Sequence, residues 1–376
     1  MSINALFFVF SSKLLPLAFA IIGFGLLITI HEFGHFIFCK IFNIHTPTFS
    51  IGMGPKLLEH KFGQTNFRLS MIPIGGYVEI AGLSEVGQGE QEFAKHEGEN
   101  SFTKKPYWQK FFVLSGGVLF NLIFAYLIYS FLFMIGIPKK SASLNISSKI
   151  NIEIEKKTKL KAQDKIIAIN DINISNEPTL FFKIIKKNLI KPLLKSSTSN
   201  IKLTILRNSQ QLDIILDPSN KDFNNKIIEI LEPKSEQLVG QYEKYNIFDA
   251  VIKGISTTNE IIKQMVKGII TLIKSKSLQG AGGPILIISQ TYQTAQRGLI
   301  PLLLFLALIS INLSIINILP IGALDGGQLL LVSIEAIIRR EIPEIIKNII
   351  NMASWVALLS LIVYLSYKDI VLLFNK

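Results

Sequence analysis

Cysteine is nearly absent: Cys39 is the only one in 376 residues, so no internal disulfide holds any part of the chain together. Charge is scarce too. Asp, Glu, Lys and Arg make up 18% of the residues, where about 25% is usual for soluble domains. Hydrophobic residues reach 49%, with a mean hydropathy of +0.41. That balance excludes an ordinary soluble globule and fits a polytopic membrane protein with a polar insert. The net charge of +12 is scattered through a Lys-, Asn- and Ile-rich middle, with no basic helix and no aromatic-basic motif. Nucleic acid is therefore not an expected partner, and a solvated surface near anionic lipid is. Histidine is sparse: His31, His35, His45, His60 and His96 are the whole set. The sequence shows no internal repeat and no low-complexity segment.

Four long apolar runs stand out, at about 14–39, 111–137, 299–321 and 353–374. Each is near the roughly 20 residues that cross a bilayer as a helix. The first is too long for the apolar core of a signal peptide, so it is read as a retained span. Gly116, Gly117 and Asn121 interrupt the start of the second, and small residues there suit close helix packing. Between these two runs, alternating stretches at 48–54 and 66–80 predict strands or a hairpin beside the membrane, within about 46–82. Its glycines, Gly52 and Gly54 among them, mark bulges or the close approach of another backbone.

Residues 139–240 read as a small soluble α+β domain with a core at about 145–218. Strands are expected at 165–170, 201–206 and 211–216, with a helix at 179–194. Residues 241–297 follow, with Ile247, Val251, Ile255, Ile261, Ile262, Met265 and Ile269 at helical spacing. Lys263, Lys267 and Lys274 argue against a fifth span, so this segment is read as amphipathic helices on the membrane or the bundle. The chain thus divides into an N-terminal half at 1–138, the insert at 139–240, the juxtamembrane helices at 241–297 and a C-terminal half at 298–376. Four spans place both termini and the insert on one side. The Lys and Arg residues flanking the spans do not decide which side that is.

The first run ends in His31-Glu32-Phe33-Gly34-His35. On a helix, imidazoles four residues apart project from one face and can grip one zinc ion, with the glutamate beside them as a base toward water. Ionisable groups at membrane depth are costly and point to function. A hydrolytic zinc site needs a third protein ligand and one open position. Position 41 is Ile, not His, which removes the soluble metzincin pattern. The best remaining ligand is Asp325, which follows the third run in Asn317-Ile318-Leu319-Pro320-Ile321-Gly322-Ala323-Leu324-Asp325-Gly326-Gly327. Pro320 and the glycines break the helix around it. Cys39 reads as a small apolar residue, and His45, His60 and His96 as loop histidines. Asn312, in the middle of the third run, reads either as glue between helices or as part of a substrate site.

His31-Glu32-Phe33-Gly34-His35 together with the Asn317-to-Gly327 motif resembles the site-2 protease family of intramembrane zinc metalloproteases, M50 type, in its bacterial RseP-like branch. Ser50-Ile51-Gly52-Met53-Gly54-Pro55 is similar to the family's GxG segment, and Ile72-Pro73-Ile74-Gly75-Gly76-Tyr77-Val78 to its IPLGGYV. Ser115 to Asn121, Gly282-Gly283-Pro284-Ile285 and Ser310 to Asn317 fall in the same order as in the family. The resemblance implies zinc bound by His31, His35 and Asp325, with Glu32 as general base and later proton donor. It implies a substrate groove shaped by Asn317 and Pro320, beside a strand edge carrying Gly52 and Gly54.

Leu160 to Asp171 resembles a PDZ domain, with Lys159, Gln163 and Asp171 at positions where that family usually has glycine. The implied substrates are single-span membrane proteins already cut by a site-1-type protease. The implied outcomes are release of an anti-sigma factor or clearance of remnant signal peptides. The implied location is the inner membrane, with both termini and the PDZ-like insert outside the cytosol. A metal transporter or sensor using the same His and Asp residues without hydrolysis stands as the alternative.

Overall fold

The computed structural model describes residues 13–83, 93, 98–147, 150, 152–174, 185–194, 200–208, 210–275, 278 and 282–374. His96 and the start of the expected 179–194 helix lie outside the described residues. In chain order the first elements are α1 (Leu15–Ile41), β1 (Thr48–Phe62), β2 (Thr65–Glu79), α2 (Tyr107–Ile135), β3 (Ile137–Ile146), α3 (Ile152–Thr158), β4 (Lys165–Ile169), β5 (Ile172–Asn173) and α4 (Lys191–Leu194). Then come β6 (Ile201–Arg207), β7 (Gln210–Leu216), α5 (Lys221–Glu229), β8 (Leu231–Glu243), α6 (Ile247–Ser275), α7 (Pro284–Gln296), α8 (Leu299–Asn317), α9 (Asp325–Ile338) and α10 (Glu344–Phe374). Two compact units result, Met1–Ile135 with Tyr245–Lys376, and Gly136–Lys244.

In the first unit, α1, α2, α8 and α10 are long and apolar enough to cross a membrane. Along α10, Val356, Leu359 and Val363 are 60%, 51% and 67% exposed, an apolar surface of the kind that suits lipid. Where helices must touch, the side chains shrink. A Cβ on Gly34 would lie 2.2 Å from the Gly116 carbonyl oxygen, and one on Gly116 2.5 Å from the Gly34 oxygen, so α1 and α2 cross backbone to backbone. The hydroxyls of Ser310 and Ser314 on α8 donate to the main-chain oxygens of Asn121 and Val118, pinning α8 to α2.

The third apolar run stops being helical at Asn317, short of 321. Pro320 follows, and the chain turns before α9 starts at Asp325, so Asp325 opens a separate helix. The segment 247–275 is one continuous helix. It lies on the bundle: Gly254 sits against Ser130, and the Tyr126 hydroxyl donates to Asn259 at 2.6 Å. Ile261, Ile262, Met265 and Ile269 pack against Ala125, Tyr129 and Ile311.

β1 and β2 form a bent two-stranded sheet. Thr48–Ile51 is flanked by Asn66–Leu69 on one side and Gly76–Glu79 on the other. Gly25 lets this sheet settle on α1, since a Cβ there would stand 2.7 Å from the Pro73 carbonyl oxygen.

The second unit has strand order β7-β6-β4-β3-β8, with β5 paired to β4. It encloses its own apolar core, including Leu160, Ile166, Ile169, Leu189 and Leu203. The sequence pattern missed β3 and β8, whose lysines, glutamates and serines lack a clean alternation. Lys159, Gln163 and Asp171 have φ of +63°, +66° and +64°. Asn170 and Asp171 make the two-residue turn between β4 and β5, a type that requires positive φ at both positions.

These left-handed residues are strained, at about 1–2 kcal/mol for a side chain that has a Cβ. Glycine gives part of that back through its larger unfolded-state entropy. Lys159→Gly and Gln163→Gly are therefore each expected to stabilise this unit by about 0.5–1 kcal/mol. Thermal unfolding of the full chain checks this, and a lowered midpoint for both variants would refute it.

Candidate metal centre

α1 brings His31, Glu32 and His35 to one face, and α9 brings Asp325 opposite them. His31 Nε2 lies 3.3 Å from His35 Nε2 and 3.1 Å from Asp325 Oδ2, while His35 Nε2 lies 3.5 Å from the same oxygen. His31 and His35 are 9% and 6% exposed. Among the described residues, this is the one group of three His, Cys, Asp or Glu side chains close enough to share a metal ion.

Three observations test whether zinc fits. Donor atoms around a tetrahedral zinc at about 2.0–2.2 Å stand about 3.3–3.6 Å apart; two of the three separations match that spacing, and the His31–Asp325 pair at 3.1 Å is slightly closer. The His35 Nδ1–H donates to the Val113 carbonyl at 2.8 Å, so its Nε2 presents a lone pair to the site. Asp325 Oδ2 is buried, yet it receives no well-directed hydrogen bond from any described residue. Two imidazole nitrogens and a carboxylate oxygen converging on one point are what a cation requires.

α2 makes the room. A Cβ on Gly117 would fall 2.5 Å from both His31 Cε1 and His35 Nε2, so glycine there leaves space for the imidazoles. The α1–α2 contact at Gly34 and Gly116 also carries the Val113 carbonyl and the Asn121 side chain to the imidazole Nδ1 atoms.

The Asp325 loop is tied down from two sides. Gln328 Nε2 donates to the Gly322 carbonyl and to Asn351 Oδ1, and the Gly322 N–H donates to Ser354 Oγ at 3.0 Å. The Gly322 N–H used here is one that proline at this position would lack. Gly326 and Gly327 lie where a Cβ would be 2.4 Å and 2.2 Å from main-chain atoms of the preceding turn, so the turn folds directly onto the start of α9.

The other expected site residues separate into near and far. Asn317 Nδ2 lies 3.4 Å from His31 Nε2, at the edge of the cluster. Pro320 is exposed in the turn between α8 and α9. Asn312 is half-buried on α8, and its side chain makes no hydrogen bond to another described residue. Gly52 and Gly54 sit on β1 with φ of +85° and +83°, against Ile72 rather than against the cluster. The strand that reaches the site is the far end of β2. A Cβ on Gly76 would be 3.8 Å from Glu32 Cγ, and the Val78 N–H faces the Glu32 carboxylate. Neither Val113 nor Val78 carries a sequence signal for this, because each contributes only backbone.

Residues 19–361 match the sequence model of peptidase family M50, a stretch that contains every member of the cluster. The chain belongs to peptidase family M50. This M50 peptidase is 32% identical to a Campylobacter jejuni protein that is named, by assignment, a zinc metalloprotease. That alignment covers 92% of this chain and 90% of the relative. A Helicobacter pylori protein named in the same way is 31% identical, with 93% and 96% covered. One from Fusobacterium nucleatum is 29% identical, with 95% and 98% covered.

Proposed function

We propose that this M50 peptidase is a zinc-dependent intramembrane endopeptidase of the site-2 type. It hydrolyses peptide bonds within or next to the spans of single-span membrane proteins. One observation carries the reading: His31, His35 and Asp325 converge, with Glu32 alongside, among helices long enough to cross a bilayer.

In the proposed reaction, His31, His35 and Asp325 would hold zinc, which would supply Lewis acidity toward the peptide carbonyl and water. Glu32 takes a proton from the attacking water and delivers it to the leaving amine. Asn317 holds the substrate backbone at the edge of the cluster, and Pro320 keeps the groove open by ending α8. Asn312 faces the same substrate from α8. A helical substrate must unwind before cleavage, because its peptide bonds are otherwise shielded by their own hydrogen bonds. The β-sheet carrying Gly52 and Gly54 offers strand pairing to the freed backbone groups.

The insert is read as PDZ-like, supported by left-handed backbone at the three positions where that family uses glycine. We place both termini and the insert outside the cytosol, and the metal site toward the cytosolic side of the inner membrane. The assigned role is the second cut in regulated proteolysis, after a site-1-type protease. Anti-sigma factor release and clearance of remnant signal peptides are the processes that fit such substrates.

Purified protein in liposomes, given a single-span test substrate, is expected to cut within or beside the span, as mapped by mass spectrometry. Chelator should stop the reaction and added zinc restore it. Cleavage confined to extramembrane segments, or undiminished by chelator, would overturn the assignment.

A further inference from the structure

We propose that Asn121 is a positioning residue for the metal site: its carboxamide holds Nδ1 of His31 and so keeps Nε2 aimed at His35 and Asp325. This rests on the reading of His31, His35 and Asp325 as the zinc ligands.

Asn121 is fully buried in α2, in a segment otherwise built from apolar and small residues. Its carboxamide Nδ2 lies 3.2 Å from His31 Nδ1, and Asn121 is the only described residue whose side chain comes within hydrogen-bond reach of that atom. The two metal-site imidazoles thus solve one problem in two ways. His35 has a backbone carbonyl within reach, that of Val113 at 2.8 Å. Nothing comparable reaches His31, and a side chain from the neighbouring helix takes that place.

The position of that side chain is itself held. The main-chain oxygen of Asn121 accepts from Ser310 on α8, so two helices set where the carboxamide stands. The far end of the carboxamide has no partner among the described residues. A buried amide left half-satisfied is costly, and leucine would fill the same space without that cost. The contact with His31 is what the polar group accomplishes there.

The chemistry follows from the imidazole. For Nε2 to offer its lone pair to a metal, the ring proton must sit on Nδ1, which then needs an acceptor. The oxygen and nitrogen of a carboxamide exchange places by a half-turn of the side chain. The atom that stands 3.2 Å from His31 Nδ1 is Nδ2; after that half-turn Oδ1 takes its place, accepts from the Nδ1–H and holds the ring in both tautomer and orientation.

The test compares the full-length wild-type chain, Asn121→Leu and Asn121→Asp in detergent, each stripped of metal and titrated with zinc against a competing chelator. Cobalt-substituted samples give the ligand-field spectrum. Asn121→Leu is expected to weaken zinc binding by about 10–100-fold and to shift the cobalt bands. Asn121→Asp, which still accepts from Nδ1–H, is expected to stay within about threefold of wild type or to bind more tightly. Wild-type affinity and spectrum in Asn121→Leu would overturn the proposal. If that variant fails to fold, a loss beyond about tenfold in Asn121→Asp overturns it instead, and retained affinity upholds it. A wild-type chain that takes up no zinc, or a His35→Ala chain that takes it up equally well, would refute the ligand assignment itself, a separate outcome.

Discussion

Glu32→Gln is expected to lower peptidase turnover by about 10²–10⁴-fold, the usual contribution of a positioned general base, while leaving bound zinc at the wild-type level. The two readouts separate because of where Glu32 sits. It shares a helical turn with His31 and His35, but the group that converges with them is the Asp325 carboxylate. Glutamine preserves the length and shape of the side chain and can still meet the Val78 N–H. What it loses is the capacity to take a proton. Turnover of a single-span substrate and zinc content, measured on the same preparation, provide the check. Near-wild-type turnover would remove Glu32 from the chemistry. Loss of zinc along with activity would make it a structural or ligating group. The same variant tests the transporter reading, in which metal flux continues without a base.

Gly117→Ala is expected to cost at least about 100-fold in zinc affinity, with activity falling alongside, although only one methyl group is added. That methyl would stand 2.5 Å from both His31 Cε1 and His35 Nε2, so both imidazoles must shift together. Overpacking of this kind ordinarily costs about 1–3 kcal/mol of stability, which leaves a folded protein to measure. The neighbouring glycines behave differently. A Cβ at Gly34 or Gly116 meets main-chain atoms of the facing helix, which cannot swing aside as a ring can. Substitution at those two positions should therefore lower thermal stability more than Gly117→Ala does, whereas Gly117→Ala should show the larger ratio of zinc loss to stability loss. Competitive zinc titration and thermal unfolding of the three variants measure this, and unchanged zinc affinity in Gly117→Ala would show that the site has slack the distances deny.

Much of the site is legible in the sequence. The HExxH spacing on an apolar run, the LDGG sequence near the end of a distant one and the absence of a third nearby histidine are local facts of residue type. They were enough to assemble the His31, His35 and Asp325 set. The limits of the sequence show at particular residues. Asn121 and Gly117 read as packing residues, because small and amide side chains in a span usually serve that purpose. Val113 and Val78 read as nothing at all, since a backbone carbonyl or N–H has no letter of its own. Gly52 and Gly54 carried the motif, yet Gly76 is the residue whose strand reaches Glu32.

The sequence by itself determined the kind of protein and the chemistry it can perform. Apolar run length sets the solvent, and the spacing of imidazoles on a helix sets the ligand pair. Only the tertiary structure decided how that chemistry is held. α2 supplies the partner for each imidazole Nδ1, α9 rather than the third span presents Asp325, and β2 lies against Glu32. The reason is physical. Ligand identity resides in single side chains a few residues apart, whereas the tautomer, spacing and shielding of those ligands depend on sub-ångström contacts between segments far apart along the chain.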